Sequence, residues 1–149
     1  MKNEIPKLIS METKKPGSIK ELLNFVQPFN NEPTLSSFLN QIMKDKNLSA
    51  PDVYHMAWLD RQTYSKLISI KNPQRASKHT LLQVCIGIYA SEREATELLG
   101  TCGFTWQLSE VEDQAYLFCI RNGFYGMDFV NEAMDHIENA KSQNDCRKY

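Results

Sequence analysis

The feature that most constrains this chain is a continuous series of short segments with helical spacing of apolar residues, from Thr34 onward. Apolar residues recur three and four positions apart, as Leu35, Phe38, Leu39 and Ile42 do, which is the spacing of one face of an α-helix. Each segment begins after a residue that can cap a helix; these residues are Thr34, Ser49, Asp60, Ser77, Ser91 and Ser109. No segment alternates as a strand does, so the sequence predicts an all-α fold of about six or seven helices.

Length and composition are those of one globular domain with a small appendage. The chain has 149 residues, of which 42% are hydrophobic and 23% charged, as in ordinary folded proteins. Its longest apolar stretch, residues 81–90, is interrupted by Gln83 and has about half the length that a bilayer requires. The N-terminus has no apolar segment typical of a secretion signal. We therefore expect a cytoplasmic protein with no membrane partner.

Cysteine, histidine and glycine patterns give no sign of an enzyme. The four cysteines lie at least 17 residues apart, at Cys85, Cys102, Cys119 and Cys146, so no CxxC pair exists. Cys85 and Cys119 fall on apolar stripes, which favours buried, reduced thiols over disulfides. The three histidines are too scattered for a metal site; they are His55, His79 and His136. Without a phosphate loop or a nucleophile motif, we predict no catalytic site, no metal and no cofactor.

Sequence character divides the chain into four segments. Residues 1–33 hold four of the six prolines, and we read them as an N-terminal arm with one short helix, capped by Ser18 and Glu21. Residues 34–100 carry the densest helical pattern, and residues 101–140 form a C-terminal helical extension that we expect to pack on it. The polar residues 141–149 are expected to fray.

Charge is distributed unevenly although the net charge is only −1. Residues 60–79 carry a net charge of +4, whereas residues 91–138 carry −8. This asymmetry favours one face that meets an anion and another that does not, while solvated helix faces remain the simpler alternative.

A short helix, a tight turn and a second short helix are predicted within residues 48–99, followed by two more helices. The apolar positions that would lock the first two helices together are Val53, Ala57, Leu59, Tyr64 and Leu67. In this pattern the segment resembles a divergent member of the phage-repressor-like helix-turn-helix family, the Cro and XRE type, and so implies a lambda-repressor-like fold. Three positions depart from that family. Tyr54 replaces a small residue, Trp58 replaces a turn glycine that favours positive φ, and Ala50 replaces a phosphate-contacting Gln.

The resemblance implies that the second helix enters the major groove of DNA. If Tyr64, Leu67 and Ile68 face the core, the remaining residues face outward. Arg61 and Gln62 then have the geometry for bidentate contacts with guanine and adenine. Phosphate contacts would come from the cations that follow and from the helix that Ser77 caps. The full set of predicted DNA-binding residues is Arg61, Gln62, Thr63, Ser65, Lys66, Ser69, Lys71, Arg75 and Lys78.

Two functions of different class follow from these patterns. The first is a sequence-specific DNA-binding transcriptional regulator, which would bind as a homodimer because one short recognition helix reads few base pairs. Its C-terminal acidic helices would supply the dimer or partner surface. The alternative is a protein–protein interaction module without DNA binding, accessory to a bacterial defence or signalling system. The bulky residues Tyr54 and Trp58 favour this alternative, and Phe124 and Tyr125 are its candidate exposed patch.

Overall fold

A computed structural model describes residues 17–26, 34–71 and 75–147; at residues 17, 26 and 144–147 it describes the backbone only. Within these ranges every regular element is a helix, so the prediction of an all-α fold is confirmed. The helices are α1 (Gly17–Val26), α2 (Leu35–Asp45), α3 (Ala50–Met56), α4 (Arg61–Ile68), α5 (Lys78–Gly87), α6 (Glu92–Thr101), α7 (Val111–Asn122) and α8 (Met127–Arg147). Most of the predicted N-terminal arm, the residues 72–74 and 148–149, and the Cys146 side chain lie outside the described residues.

The chain forms two compact units, Met1–Pro33 and Thr34–Tyr149. The described part of the first unit is α1, in which Ile19, Leu22 and Leu23 are exposed. Helix α1 begins at Gly17, so Ser18 lies inside its first turn and not at its N-cap. The second unit holds α2 to α8.

Helices α2 to α6 begin at the capping residues that the sequence indicates. The side chains of these residues accept a hydrogen bond from the backbone N–H three residues later; the caps are Thr34, Ser49, Asp60, Ser77 and Ser91. These bonds satisfy amide groups that have no partner within the helix. The expectation for Ser109 is wrong, since Glu110 is the N-cap of α7 and its side chain makes no capping bond.

Five helices, α2, α3, α5, α6 and α7, are each followed by a residue in the left-handed conformation. The residues are Asn47, Trp58, Tyr89, Gly103 and Gly123. The next backbone N–H then bonds to a carbonyl one turn back, as Leu59 N does to Tyr54 O at 2.8 Å, in the Schellman arrangement. At Ser49, Asp60 and Ser91 the next helix cap follows two residues after the left-handed residue. The chain therefore turns sharply from α2 to α3, from α3 to α4 and from α5 to α6.

Helix α5 is the centre of the core. From Leu81 to Gly87 every residue except Gln83 is buried, so neighbouring helices enclose this part of α5, whereas His79 near its N-terminus is exposed. Burial also raises the pKa of the Cys85 thiol to about 12, consistent with an inert structural cysteine. Helix α3 approaches α5 most closely at Gly87, where an added Cβ would lie 2.5 Å from the Val53 carbonyl oxygen.

Helices α7 and α8 pack together with two phenylalanines outside the contact. Ala115 and Cys119 of α7 and Val130 of α8 are buried, as their spacing predicts. The side chains of Phe118 and Phe129 lie outside this contact and are 53% and 50% exposed. Each lies one position away from the buried stripe of its helix, so a small rotation about the helix axis decides its environment.

Helix α8 continues to Arg147, beyond residue 140 where the sequence is expected to fray. Even α8, with its 21 residues, is too polar for a hydrocarbon environment. No helix in the described ranges is long and apolar enough to cross a membrane.

The contact at Gly87 predicts a strong effect of a single methyl group. We expect Gly87→Ala to lower the free energy of unfolding by about 1–3 kcal/mol, since the Cβ meets backbone that can move only with α3. Gly100→Ala is the matched control, because an added Cβ at Gly100 meets nothing within 4 Å. Urea unfolding of both variants checks this, and equal stabilities would contradict the close approach of α3 to α5.

Candidate nucleic-acid interface

The segment between α3 and α4 fixes how α4 begins. Ala57 is buried, Trp58 has a φ of 57° and Leu59 is half-buried. The Asp60 carboxylate then accepts a hydrogen bond of 2.6 Å from the Thr63 backbone N–H. The Thr63 side chain, together with this backbone bond, holds the pKa of the Asp60 carboxyl below its usual range. The first turn of α4 is therefore held in one orientation.

The inward face of α4 consists of Tyr64 and Leu67, which are buried as predicted, while Ile68 is half-buried. The Tyr64 hydroxyl donates a hydrogen bond to the Met43 sulfur at 3.1 Å. Tyr54 of α3 places its ring centroid 5.7 Å from that of Tyr64. The bulky Tyr54 is thus accommodated as one member of an aromatic pair between α3 and α4.

The opposite face of α4 is open to solvent. Arg61, Gln62, Ser65 and Lys66 are exposed and Thr63 is half-buried. The structure therefore brings the predicted base-contacting residues together on one side of a short helix. Small side chains lie between the long ones on this face, so the helix backbone can approach a ligand closely.

A depression of about 330 Å³ adjoins this face after the end of α4. We call it the basic depression; it is lined by Lys66, Ser69, Ile70, Lys71 and Arg75. Across the described parts of the chain, no ion pair involves its three cations or Arg61. The depression is therefore suited to an anion, and Ile70 is a lining residue that the sequence did not reveal.

Lys78 is placed differently from the other predicted cations. Its ammonium group lies 2.5 Å from a carboxylate oxygen of Asp113 and 2.8 Å from the Thr105 carbonyl oxygen. The Asp113 side chain is only 3% exposed, and it also accepts a hydrogen bond from the Gln107 backbone N–H at 2.6 Å. Since a buried carboxylate needs a counter-charge, Lys78 connects α5 to α7 and its charge is neutralised within the protein.

Several acidic side chains of residues 91–138 form ion pairs within the protein. Glu92 pairs with Arg121 at 2.8 Å, and Glu94 pairs with Lys46 at the same distance. His79 contacts Glu112 at 2.5 Å. These acidic side chains therefore have partners within the protein, whereas Arg61, Lys66, Lys71 and Arg75 form no ion pair with the described residues.

Three phenylalanines form a second exposed feature, which we call the aromatic patch: Phe118, Phe124 and Phe129. The Phe124 ring centroid lies 6.1 Å from that of Phe118 and 5.6 Å from that of Phe129. Tyr125 is not part of the patch, because it is half-buried and its hydroxyl donates a hydrogen bond of 2.5 Å to the Ala90 carbonyl oxygen.

Comparison with known proteins finds no matching family, no matching curated protein and no matching solved structure. Within the described ranges, no group of three or more His, Cys, Asp or Glu residues could hold a metal ion. The candidate site therefore rests on the geometry and charge of α4 and the basic depression.

The different environments of two lysines give a testable contrast in stability. Lys78→Ala leaves a buried carboxylate without its counter-charge, so we expect the free energy of unfolding to fall by about 3 kcal/mol. Lys71→Ala changes an exposed residue without an ion pair, so its effect should stay within about 0.5 kcal/mol. Urea unfolding at neutral pH measures both values, and a Lys78 variant as stable as the Lys71 variant would refute the structural role of Lys78.

Proposed function

We propose that this protein is a DNA-binding transcriptional regulator that acts in the cytoplasm and inserts α4 into the major groove. One observation carries the proposal: the outward face of α4 presents Arg61 and Gln62 and leads directly into a depression lined by three cations that form no ion pair with the described residues. Base-reading groups and phosphate-binding groups are thus adjacent on one surface, as protein–DNA recognition requires.

The first turn of α4 supplies the groups that distinguish bases. A guanidinium such as that of Arg61 binds the O6 and N7 atoms of guanine, and an amide such as that of Gln62 binds the N6 and N7 atoms of adenine. Ser65 lies one turn after Arg61 on the exposed face, and its small side chain allows close approach to the bases.

Phosphate contacts are assigned to the basic depression. Lys66, Lys71 and Arg75 line it, and each cation that neutralises a phosphate releases a counterion and makes binding weaken as salt rises. Ser77 caps the N-terminus of α5, close in sequence to Arg75, and the amide groups there are further phosphate donors. Lys78 is left out of this set because Asp113 holds its charge.

A regulator of this kind would bind as a homodimer, because two copies of α4 placed one helical turn of DNA apart double the number of base pairs read. The aromatic patch is the surface that we assign to this contact. Its three rings are each 42% to 53% exposed, and exposed apolar clusters of this kind are typical of interaction surfaces.

Two substitutions separate base reading from phosphate binding. We expect Arg61→Ala to reduce the preference for the specific duplex by about 1–3 kcal/mol, since one bidentate contact is lost. Lys71→Ala should weaken binding to all duplexes and reduce the salt slope by about one unit. Fluorescence anisotropy with the DNA upstream of the gene and a scrambled duplex, at several salt concentrations, measures both effects. No binding of wild-type protein to either duplex at low salt would refute the proposed function.

The aromatic patch also supports a second candidate function, a protein-interaction module without DNA binding. Apolar side chains such as Phe118 and Phe129 are the kind that another protein covers in an interface, and DNA is not needed to bury them. In this case the patch binds another protein, and the cations around α4 are a solvated surface.

Affinity capture with patch and α4 variants distinguishes this second candidate. If it holds, one protein identified by mass spectrometry should be captured by wild type and by Lys71→Ala, and lost with Phe129→Ser. Phe129 is half exposed, so Phe129→Ser should leave the unfolding midpoint nearly unchanged, which thermal unfolding checks. Capture that is unaffected by Phe129→Ser would contradict the assignment of the patch.

A further inference from the structure

Trp58 combines an unfavourable backbone conformation with an exposed side chain. Among the described residues, three that are not glycine have positive φ: Asn47, Trp58 and Tyr89. Asparagine adopts this region readily, whereas bulky side chains adopt it at a cost. A tryptophan at such a position therefore calls for a specific physical explanation.

The environment of Trp58 differs from that of Tyr89. The Tyr89 ring packs at 5.4 Å from the Tyr125 ring, so its side chain contributes to the fold. Trp58 is 55% exposed, and no aromatic contact of its ring occurs within the described parts of the chain. Ring stacking inside the protein therefore does not account for the aromatic side chain at this turn.

The position of Trp58 links it to the base-contacting turn of α4. Trp58 precedes Arg61 by three residues, so the two Cα atoms lie within about 11 Å of each other. Leu59 between them is half-buried, and the Asp60 carboxylate is held by the Thr63 N–H. Trp58, Arg61 and Gln62 are thus the large exposed side chains at the start of α4.

We propose that Trp58 is a specificity-determining residue that contacts duplex DNA at the edge of the major groove. This inference rests on the proposed function. The indole ring packs against deoxyribose and the 5-methyl group of a thymine, and its N–H, which can only donate, bonds to a phosphate oxygen. DNA is the occupant that the surface favours, because, apart from the Asp60 carboxylate that caps α4, the charged groups of α4 and the segment that follows it are Arg61 and the cations of the basic depression.

Two matched substitutions test the contact. Trp58→Asn and Tyr89→Asn each remove a large exposed ring from a left-handed position, and Asn47 shows that asparagine sustains this turn in the same protein. We expect Trp58→Asn to weaken binding to the upstream duplex about tenfold, as the loss of a good groove contact does. Tyr89→Asn should change it by less than about twofold, since exposed changes away from a site have small effects. Circular dichroism confirms that both variants are folded.

A thymine-to-uracil exchange gives a readout that a purely structural role would not affect. Replacing dT by dU in the upstream duplex removes the methyl groups without changing base pairing. Wild-type affinity should fall severalfold on the uracil duplex, whereas Trp58→Asn should bind the two duplexes equally. Acrylamide quenching is an independent measure: DNA should shield wild-type fluorescence, and Trp58→Asn, which retains Trp106, should show no added shielding.

The outcomes separate this inference from the function on which it rests. Wild-type affinity retained in Trp58→Asn would overturn the role of Trp58 while the DNA-binding function stands. Equal methyl sensitivity of wild type and Trp58→Asn would also overturn it. A wild-type protein that binds no duplex would refute the function itself. Loss of a captured protein in Trp58→Asn with unchanged DNA affinity would assign Trp58 to a protein partner and overturn the DNA contact.

Discussion

Burial of α5 from Leu81 to Gly87 is the constraint on which the rest of the structure depends. A helix with so little polar surface is stable in water only when other helices enclose it. Helix α3 does so at the distance that Gly87 permits, and the Gln83 amide donates to the Ala57 carbonyl oxygen at 3.1 Å. Just beyond the C-terminal end of α5, the Lys46 ammonium donates hydrogen bonds to the carbonyl oxygens of Ile88 and Tyr89 at 3.0 and 2.7 Å. Contacts from α2 and α3 thereby fix the position of α5.

The candidate site follows from this arrangement. Once α3 is fixed against α5, the turn through Trp58 and the buried Tyr64 and Leu67 set the orientation of α4. The outward side chains of α4 are then not needed to hold the helix in place, and their charged groups remain exposed to solvent. Lys78 is the opposite case. Its ammonium group pairs with the buried Asp113 carboxylate and so stabilises the fold.

Local signals in the sequence predicted most of the helices, because capping and helical spacing act over a few residues. Ser49 and Asp60 cap the helices that they precede, and these signals lie within one turn of the helices that they begin. The environments of Lys78 and Phe118 could not be predicted, because they depend on where α7 lies. Asp113 is 35 residues from Lys78, and no local pattern shows that the two side chains meet.

The most direct test of the account is to map the surface that duplex DNA contacts, without mutation. Backbone amide shifts of ¹⁵N-labelled protein, titrated at low salt with the duplex from upstream of the gene, report every residue at once. The account predicts the largest shift changes in α4 and around the basic depression, and little change at Phe118, Phe124 and Phe129 in protein that is already dimeric. Changes confined to the aromatic patch, or none at all, would contradict the assignment of α4 as the recognition helix.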